Sequence, residues 1–234
     1  MAGVKGAVNE VVLVCLVDYL TGETLMNTHV RPSKKVTDWR TRVSGVTQDE
    51  MIEAIARGEA LAGWIEARKE VWKYIDADTI LVGHSLHNDL DVLRMVHTRV
   101  VDSAILARNA VGGNNRMWGL KILCEELLGI DVQTNGRNGH DCVEDTLATR
   151  EVVLFCARKP EGLASWARVA RDREEEKKKE RKKEMQKMKA GKEGEERKKK
   201  TGRKEEQVKR RPEETQNPRL RPRASRTYTV EAKR

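Results

Sequence analysis

The chain has 234 residues and a formal net charge of +9, but that charge is unevenly spread. Residues 1–170 carry 20 Lys and Arg against 23 Asp and Glu, near −3, whereas residues 171–234 carry 26 against 14, near +12. Nearly all apolar residues lie in the first part, which is long enough to bury a core; the second part is too polar to do so. No apolar run reaches the roughly 18 residues of a membrane span, and no secretory signal is present. Cys15, Cys124, Cys142 and Cys156 have no Cys-x-x-Cys spacing. That argues against a disulfide framework and for reduced core thiols in an intracellular protein. The expected division is a globular domain over 1–166 and a basic tail over 167–234.

In chain order, Met1 to Ala7 reads as a strand end running into a loop. Glu10 to Asp18 is a β-branched apolar run, Thr24 to Val30 alternates, and Thr21-Gly22-Glu23 between them is turn chemistry, so a hairpin is expected. Glu59 to Ile75 places Leu61, Trp64, Ile65, Arg68, Trp72 and Ile75 at helical spacing. Thr79 to Val82 is a short strand ending at Gly83, followed by a helix through Asp89, Leu90, Leu93 and Met95 and a strand at Val100–Val101. Trp118 to Leu128 is helical up to Gly129. Val143 to Ala157 is a further helix, with Val143, Leu147, Val152 and Phe155 inward, ending before Pro160. A hairpin followed by alternating strands and helices predicts a mixed α/β sheet, whose reactive groups collect at strand ends and helix starts. Beyond Trp166, Glu174→Lys178 and Glu175→Lys179 have helix-supporting spacing, so an exposed helix is expected from Ala167 to about Lys189. Gly191, Gly194 and Gly202, then Pro212, Pro218 and Pro222, predict disorder beyond it.

Two stretches concentrate the chemistry: Gly83-His84-Ser85-Leu86-His87-Asn88-Asp89-Leu90 and Gly139-His140-Asp141-Cys142-Val143-Glu144-Asp145. Each delivers an Asp just after a Gly-His turn, and the second delivers His140 with it. Asp89 or Asp145 alone reads as a first-turn carboxylate complementing a helix dipole. Together with a loop imidazole they are what metal-assisted phosphodiester cleavage uses. His84 reads as a strand-end histidine bonded to backbone, shaping the Asp89 turn; His87 and His97 read as surface or helix residues.

These stretches, with Val101-Asp102-Ser103 and Thr37-Asp38-Trp39-Arg40-Thr41-Arg42-Val43-Ser44-Gly45-Val46-Thr47, resemble the DEDDh-type 3′→5′ exonucleases of the ribonuclease H-like superfamily. The similarity is strongest to the ribosomal-RNA-processing and interferon-induced RNA exonucleases and runs from Met1 to about Cys156. The resemblance implies that Asp89 and Asp145 are metal ligands and that His140 deprotonates the attacking water. It also implies that Arg40 and Met1 meet the substrate, Arg42 being structural, and that the cofactors are two Mg²⁺ or Mn²⁺ ions. RNA, in preference to DNA, is the expected partner, and preribosomal particles the expected setting.

One departure matters. The family's first motif is Asp-x-Glu on the first strand, followed directly by Met, and alternation puts both carboxylates on one face. Here Met1 falls where that Met belongs, and no Asp-x-Glu stands at another strand end; Asp76-Ala77-Asp78 is the nearest imitation. Two carboxylates cannot balance two divalent cations, and Mg²⁺ needs carboxylates to localise it. The absent strand is also central to the family's sheet, so its neighbours are expected to lose pairing. A reading frame clipped at an internal Met, a short inactive isoform and a binding-only pseudo-exonuclease each account for this, and the first is preferred because Asp89, His140 and Asp145 persist together. The chain as written is expected to be impaired or inactive. In the tail, Lys198-Lys199-Lys200 and Lys209-Arg210-Arg211 suit a nuclear or nucleolar address and phosphate contact, although a solvated mixed-charge helix is the plainer reading.

Overall fold

The computed structural model describes residues 1–6, 8–112, 116–134, 136 and 139–209, with side chains 190, 193, 196–198 and 200–209 left aside. It divides into two compact units, 1–177 and 178–234. Among the described residues, seven short strands, eight α-helices and one π-helical turn make a mixed α/β fold. Strands β1 (Ala2–Val4), β2 (Val8–Glu10) and β5 (Val36–Asp38) form an antiparallel sheet ordered β2-β1-β5. Strands β3 (Leu13–Val17) and β4 (Thr24–His29) form an antiparallel hairpin, and β6 (Leu81–Gly83) pairs in parallel with β7 (Val100–Asp102).

The expected strand end at the N-terminus is β1, which passes into a turn at Lys5. The apolar run from Glu10 to Asp18 is two strands rather than one. It breaks at Val11-Val12, both buried, so that the chain moves from the β1 sheet to the hairpin. Glu10 is buried at that corner and accepts from Ser33 N (2.6 Å) and Ser33 Oγ (2.7 Å), which replaces the water its carboxylate gives up. The hairpin turn is closed by Asp18, whose Oδ1 accepts from Leu20 N and Thr21 N. It is held against α7 (Cys142–Arg158) by Arg150, which donates to the Tyr19 and Leu20 carbonyls.

Helix α1 (Thr41–Ser44) and helix α2 (Gln48–Ala56) follow β5; α2 opens on a Thr47/Glu50 capping box. Helix α3 is shorter than its apolar spacing predicts. It covers Trp64–Val71 because Gly63 is its N-cap and Leu61 is drawn into a β-bridge with Val30. Helix α4 (His87–Leu93) follows β6, and α5 (Ser103–Val111) follows β7 directly. The stretch expected to be helical from Trp118 begins only at Leu120: α6 covers Leu120–Leu123 and continues as a π-helical turn through Cys124–Leu128, ending at Gly129 in the left-handed region. Helix α7 buries Ala148, Thr149, Val152, Val153 and Cys156; of the four side chains expected inward, only Val152 is fully buried.

The largest core cluster gathers Val111, Trp118, Leu123, Cys124, Val152 and Trp166 from α5 to the start of α8 (Pro160–Lys209). Arg173 of α8 forms a two-point pair with Glu126 (2.7 and 2.8 Å), and the same carboxylate accepts from Trp166 Nε1, so the first turns of α8 belong to the domain. The helix then runs past Gly191, Gly194 and Gly202 to Lys209, where a break was expected; residues 210–234, with the expected disorder and the second basic cluster's Arg210-Arg211, lie outside the described residues. Among the described residues no helix is long and apolar enough to cross a membrane.

Helix α7 packs against both β3 and β6, yet these two strands belong to different sheets and no described strand pairs them to each other. Every residue of β6 is half-buried rather than buried, unlike a parallel strand covered on both faces.

One carboxylate fixes the junction between β6 and α4. Asp102, 6% exposed at the end of β7, accepts from Ser85 N (3.0 Å), Leu86 N (2.8 Å), Ala104 N (2.9 Å) and Ile105 N (3.3 Å). Asp102→Ala leaves those four donors, one buried and three part-buried, without their acceptor. An equilibrium denaturation curve should show a loss of about 3 kcal/mol.

Candidate active site

Asp89 and Arg40 sit where a strand end meets a helix start, His140 and Asp145 where a loop enters α7, and backbone packing sets the position of each. Gly83 closes β6 because Leu86 folds back over it: a Cβ there would lie 2.7 Å from Leu86 Cδ1. Ser85 takes a positive φ (56°), held by its N–H bond to Asp102 and by Asn88, which donates from its backbone and side-chain nitrogens to the Ser85 carbonyl. This turn brings Asp89 into the first turn of α4. His84 bonds differently from expectation: its Nδ1 meets Ser103 Oγ at 2.8 Å, a side chain rather than backbone. Burial holds its imidazole below the usual range, with Asp102 and Asp145 pulling the other way. His97 bonds the Thr79 carbonyl (2.6 Å), whereas His87 is exposed at the start of α4.

The second motif is locked to α1 by two glycines. Gly139 (φ +84°) is buried so close to α1 that a Cβ would sit 2.0 Å from the Thr41 carbonyl, and a Cβ on Gly45 would meet the His140 carbonyl at 2.2 Å. Asp141 then caps α7, accepting from Val143 N (2.8 Å) and Glu144 N (3.2 Å). One turn on, Asp145 Oδ2 lies 3.3 Å from His140 Nδ1, each side chain nearly 30% exposed. The other oxygen, Oδ1, accepts from Gln133 Nε2 at 2.9 Å. With Nδ1 turned to the carboxylate, Nε2 is the imidazole nitrogen left to accept a proton.

Arg40, the residue before α1, has positive φ (49°), fixed by its N–H bond to Asp38 Oδ1 (2.9 Å). Its guanidinium lies beside Gly3 of β1 and acts on the Met1 ammonium. That ammonium is held below its usual pKa, first by burial, with Asp89 and Cys142 opposing. Protein around Asp89 pushes its carboxyl from 3.8 up to about 6, the Met1 ammonium resisting. Asp89 nevertheless has an open side facing solvent, which limits the cost of its charge.

Met1, Asp89 and Arg40 therefore share one neighbourhood, and His140 and Asp145 form a direct pair. Cys142 links the two groups, since both the Met1 ammonium and Asp145 act on its thiol. The Cys142 thiol donates to Cys15 of β3, which lowers Cys15 and raises Cys142. All four cysteines are free. Residue spacing gave no sign of the Cys15–Cys142 contact, of Gln133 or of the Asp102 hub, because each depends on a pairing distant in sequence.

Residues 2–153 match the exonuclease family RNase_T. The chain belongs to that family. Its curated relatives include RNA exonuclease 3 of Candida albicans, 29% identical over 153 residues (64% of this chain, 35% of the relative). Interferon-stimulated 20 kDa exonuclease-like 2 of Bos taurus is 33% identical over 155 residues (64% and 42%). Small RNA degrading nuclease 3 of Arabidopsis thaliana is 32% identical over 137 residues (58% and 17%). The chain thus spans less than half the length of each. Among solved structures, the Saccharomyces cerevisiae Pan2 UCH-Exo module in complex with AAGGAA RNA superposes with a TM-score of 0.59 at 18% identity, over 71% of this chain and 28% of that one. The Neurospora crassa Pan2 catalytic unit gives 0.57 at 20%, over 66% and 25%. At these identities the likeness is one of fold, the ribonuclease H-like exonuclease architecture.

The donors do not fit a pair of divalent cations. Among the described residues no three His, Cys, Asp or Glu side chains converge as a metal-holding group. Asp145 is engaged through both oxygens, by Gln133 and beside His140.

The raised Asp89 carboxyl has a consequence for stability. A carboxyl whose folded pKa lies above its unfolded value binds its proton more readily when folded, so stability falls as pH rises from about 4 through 6. Asp89→Asn removes that dependence: it should raise the melting temperature at pH 7.5, by the equivalent of about 1 kcal/mol after solvent screening, and change little at pH 4.

Proposed function

We propose that the globular domain is a DEDDh-type 3′→5′ exoribonuclease module acting on single-stranded RNA. In this reading His140 takes the proton from the attacking water, Asp89 and Asp145 are two of four required carboxylates, and Arg40 and Met1 border the terminal nucleotide. We propose equally that these 234 residues by themselves hold RNA without hydrolysing it efficiently. The observation that carries the reading is the His140–Asp145 pair, 3.3 Å apart, at the capped start of α7 in a domain of the exonuclease family. The two carboxylates that remain, in a notch that does not fit two divalent cations, favour binding over cleavage. Complete hydrolysis in this reading uses Mg²⁺ or Mn²⁺ and releases nucleoside monophosphates; preribosomal RNA is the proposed setting and the nucleus or nucleolus the proposed compartment.

The test uses 5′-labelled single-stranded RNA with Mn²⁺. The 234-residue chain should retain the RNA without shortening it. A chain extended ahead of Met1 by a strand ending Asp-x-Glu should shorten it progressively from the 3′ end, and His140→Ala should lower that rate at least a hundredfold, as for a general base. Shortening by the unextended chain, or an extended chain that binds RNA and stays inert, overturns the reading.

The segment beyond Lys177 is proposed to add phosphate contacts of no sequence preference. Its aromatic content is Tyr228 alone, so stacking is not its mode. Deleting residues 178–234 should weaken RNA binding and flatten the slope of log affinity against log salt, by about one unit per lost phosphate contact. An unchanged slope rules out that role.

A further inference from the structure

Away from the notch, helices α3 and α4 carry an alternating stack of guanidinium groups and indole rings. The Arg68 guanidinium carbon lies 4.8 Å from the centre of the Trp64 ring and 4.9 Å from that of Trp72, its neighbours one turn before and after on α3. Arg94 lies over the Trp64 ring at 4.1 Å, so the order is Trp72, Arg68, Trp64, Arg94. Arg68 also donates to the Arg94 carbonyl at 3.0 Å, while its Nε is buried with no hydrogen-bond partner among the described residues. Arg94 holds a positive φ (52°) as the cap that ends α4.

Stapling α3 to α4 does not account for all of this. The inner part, Trp64 with Arg94 and the Arg68–Arg94 bond, joins the two helices, and Trp64 packs on the core around Val71 and Leu93. Trp72 does neither: it is 52% exposed at the outer end. Two like charges in one stack also repel, a cost that an apolar staple avoids. A half-exposed ring beside cations, as Trp72 is here, is an arrangement that takes a nucleobase on the ring face and phosphates on the guanidinium groups. The position fits such a ligand, because Arg94 closes the helix whose first turn holds Asp89, roughly 7 Å away along the axis.

We infer that the Trp72–Arg68–Trp64–Arg94 stack is a binding platform for the body of a single-stranded RNA whose 3′ end occupies the Asp89 notch. The inference rests on the RNA reading above and adds to it a second contact region, engaged only by strands long enough to leave the notch. Trp72 stacks a base, and Arg94 contacts the backbone.

The test measures anisotropy of labelled uridine oligomers, a trinucleotide and a dodecamer, with the full chain and two variants, Trp72→Ala and Arg94→Asn. Asn tolerates the positive φ at 94, so the cap survives. Both variants should keep the trinucleotide affinity; Trp72→Ala should keep the melting temperature, and Arg94→Asn, which gives up its contact with Trp64, should lower it by no more than a few degrees. Each should bind the dodecamer about tenfold more weakly, through loss of one stacked base or of one backbone contact. A dodecamer with abasic sites in its 5′ half should bind the unaltered chain no better than Trp72→Ala binds the intact dodecamer. Dodecamer affinity unchanged in both variants overturns the platform and leaves Trp72 to a protein partner. Loss of both affinities together with a lowered melting temperature makes the stack structural and overturns it as well. An unaltered chain that binds neither oligomer removes the RNA reading itself, and the platform with it.

Discussion

The architecture turns on the Asp102 carboxylate. It ends a short parallel strand and gathers four backbone N–H groups, two from the turn after β6 and two from the first turn of α5. A carboxylate so placed does three things at once. It caps α5 and satisfies donors that would otherwise be orphaned at two chain reversals. It also holds Ser85 in a conformation costly for a residue with a side chain. That strained turn sets where α4 begins and therefore where Asp89 stands. Charge-assisted bonds to a buried acceptor are each worth more than neutral ones, so the strain at Ser85 is small beside what offsets it.

The second motif reaches the same region by a different physical route. No ionic hub holds the His140 segment; a close approach of two backbones does, with Gly139 and Gly45 so near that neither admits a Cβ. Arg40 lies at the other end of α1, so one short helix relates the imidazole to the guanidinium across a backbone contact with no side-chain freedom. The positions of His140 and Arg40 are thus coupled. A shift of α1 moves both, which is how a site built from residues a hundred apart in sequence keeps one geometry.

Much of this was legible in the residues, and the illegible parts share a cause. The Gly-His turns and the hairpin at Thr21-Gly22-Glu23 announce themselves through local turn chemistry, and the last helix through its periodicity from Val143, although its cap at Asp141 does not. Helix α5 was missed because its start signal, Asp102, reads equally as the end of a strand, and it is both. The run from Glu10 to Asp18 looks continuous because its break at Val11-Val12 changes which sheet is joined, not which residue types are used. The tail helix was read short because Gly191 and Gly194 lower propensity by about 1 kcal/mol each, a weak prior that the flanking Glu and Lys pairs offset. The His84–Ser103 bond, Gln133 and the Cys15–Cys142 contact rest on pairings between distant segments, which no window along the chain contains.

Charge at the notch separates what the fold preserves from what the chemistry requires. Burial around Asp89 pushes its carboxyl up to about 6, so this acid carries its charge at a cost. Asp145 divides its oxygens between an amide and an imidazole. Asp145 is thereby satisfied by an amide and an imidazole, whereas burial leaves the Asp89 carboxyl above its usual range. A divalent ion bound by Asp145 would have to displace Gln133 from Oδ1 or share Oδ2 with His140. The backbone devices that aim these side chains, the Asp102 hub and the Gly45–Gly139 contact, do not depend on that balance. The frame of an exonuclease site and the charge it needs to work are therefore separable properties of this chain, held by different residues.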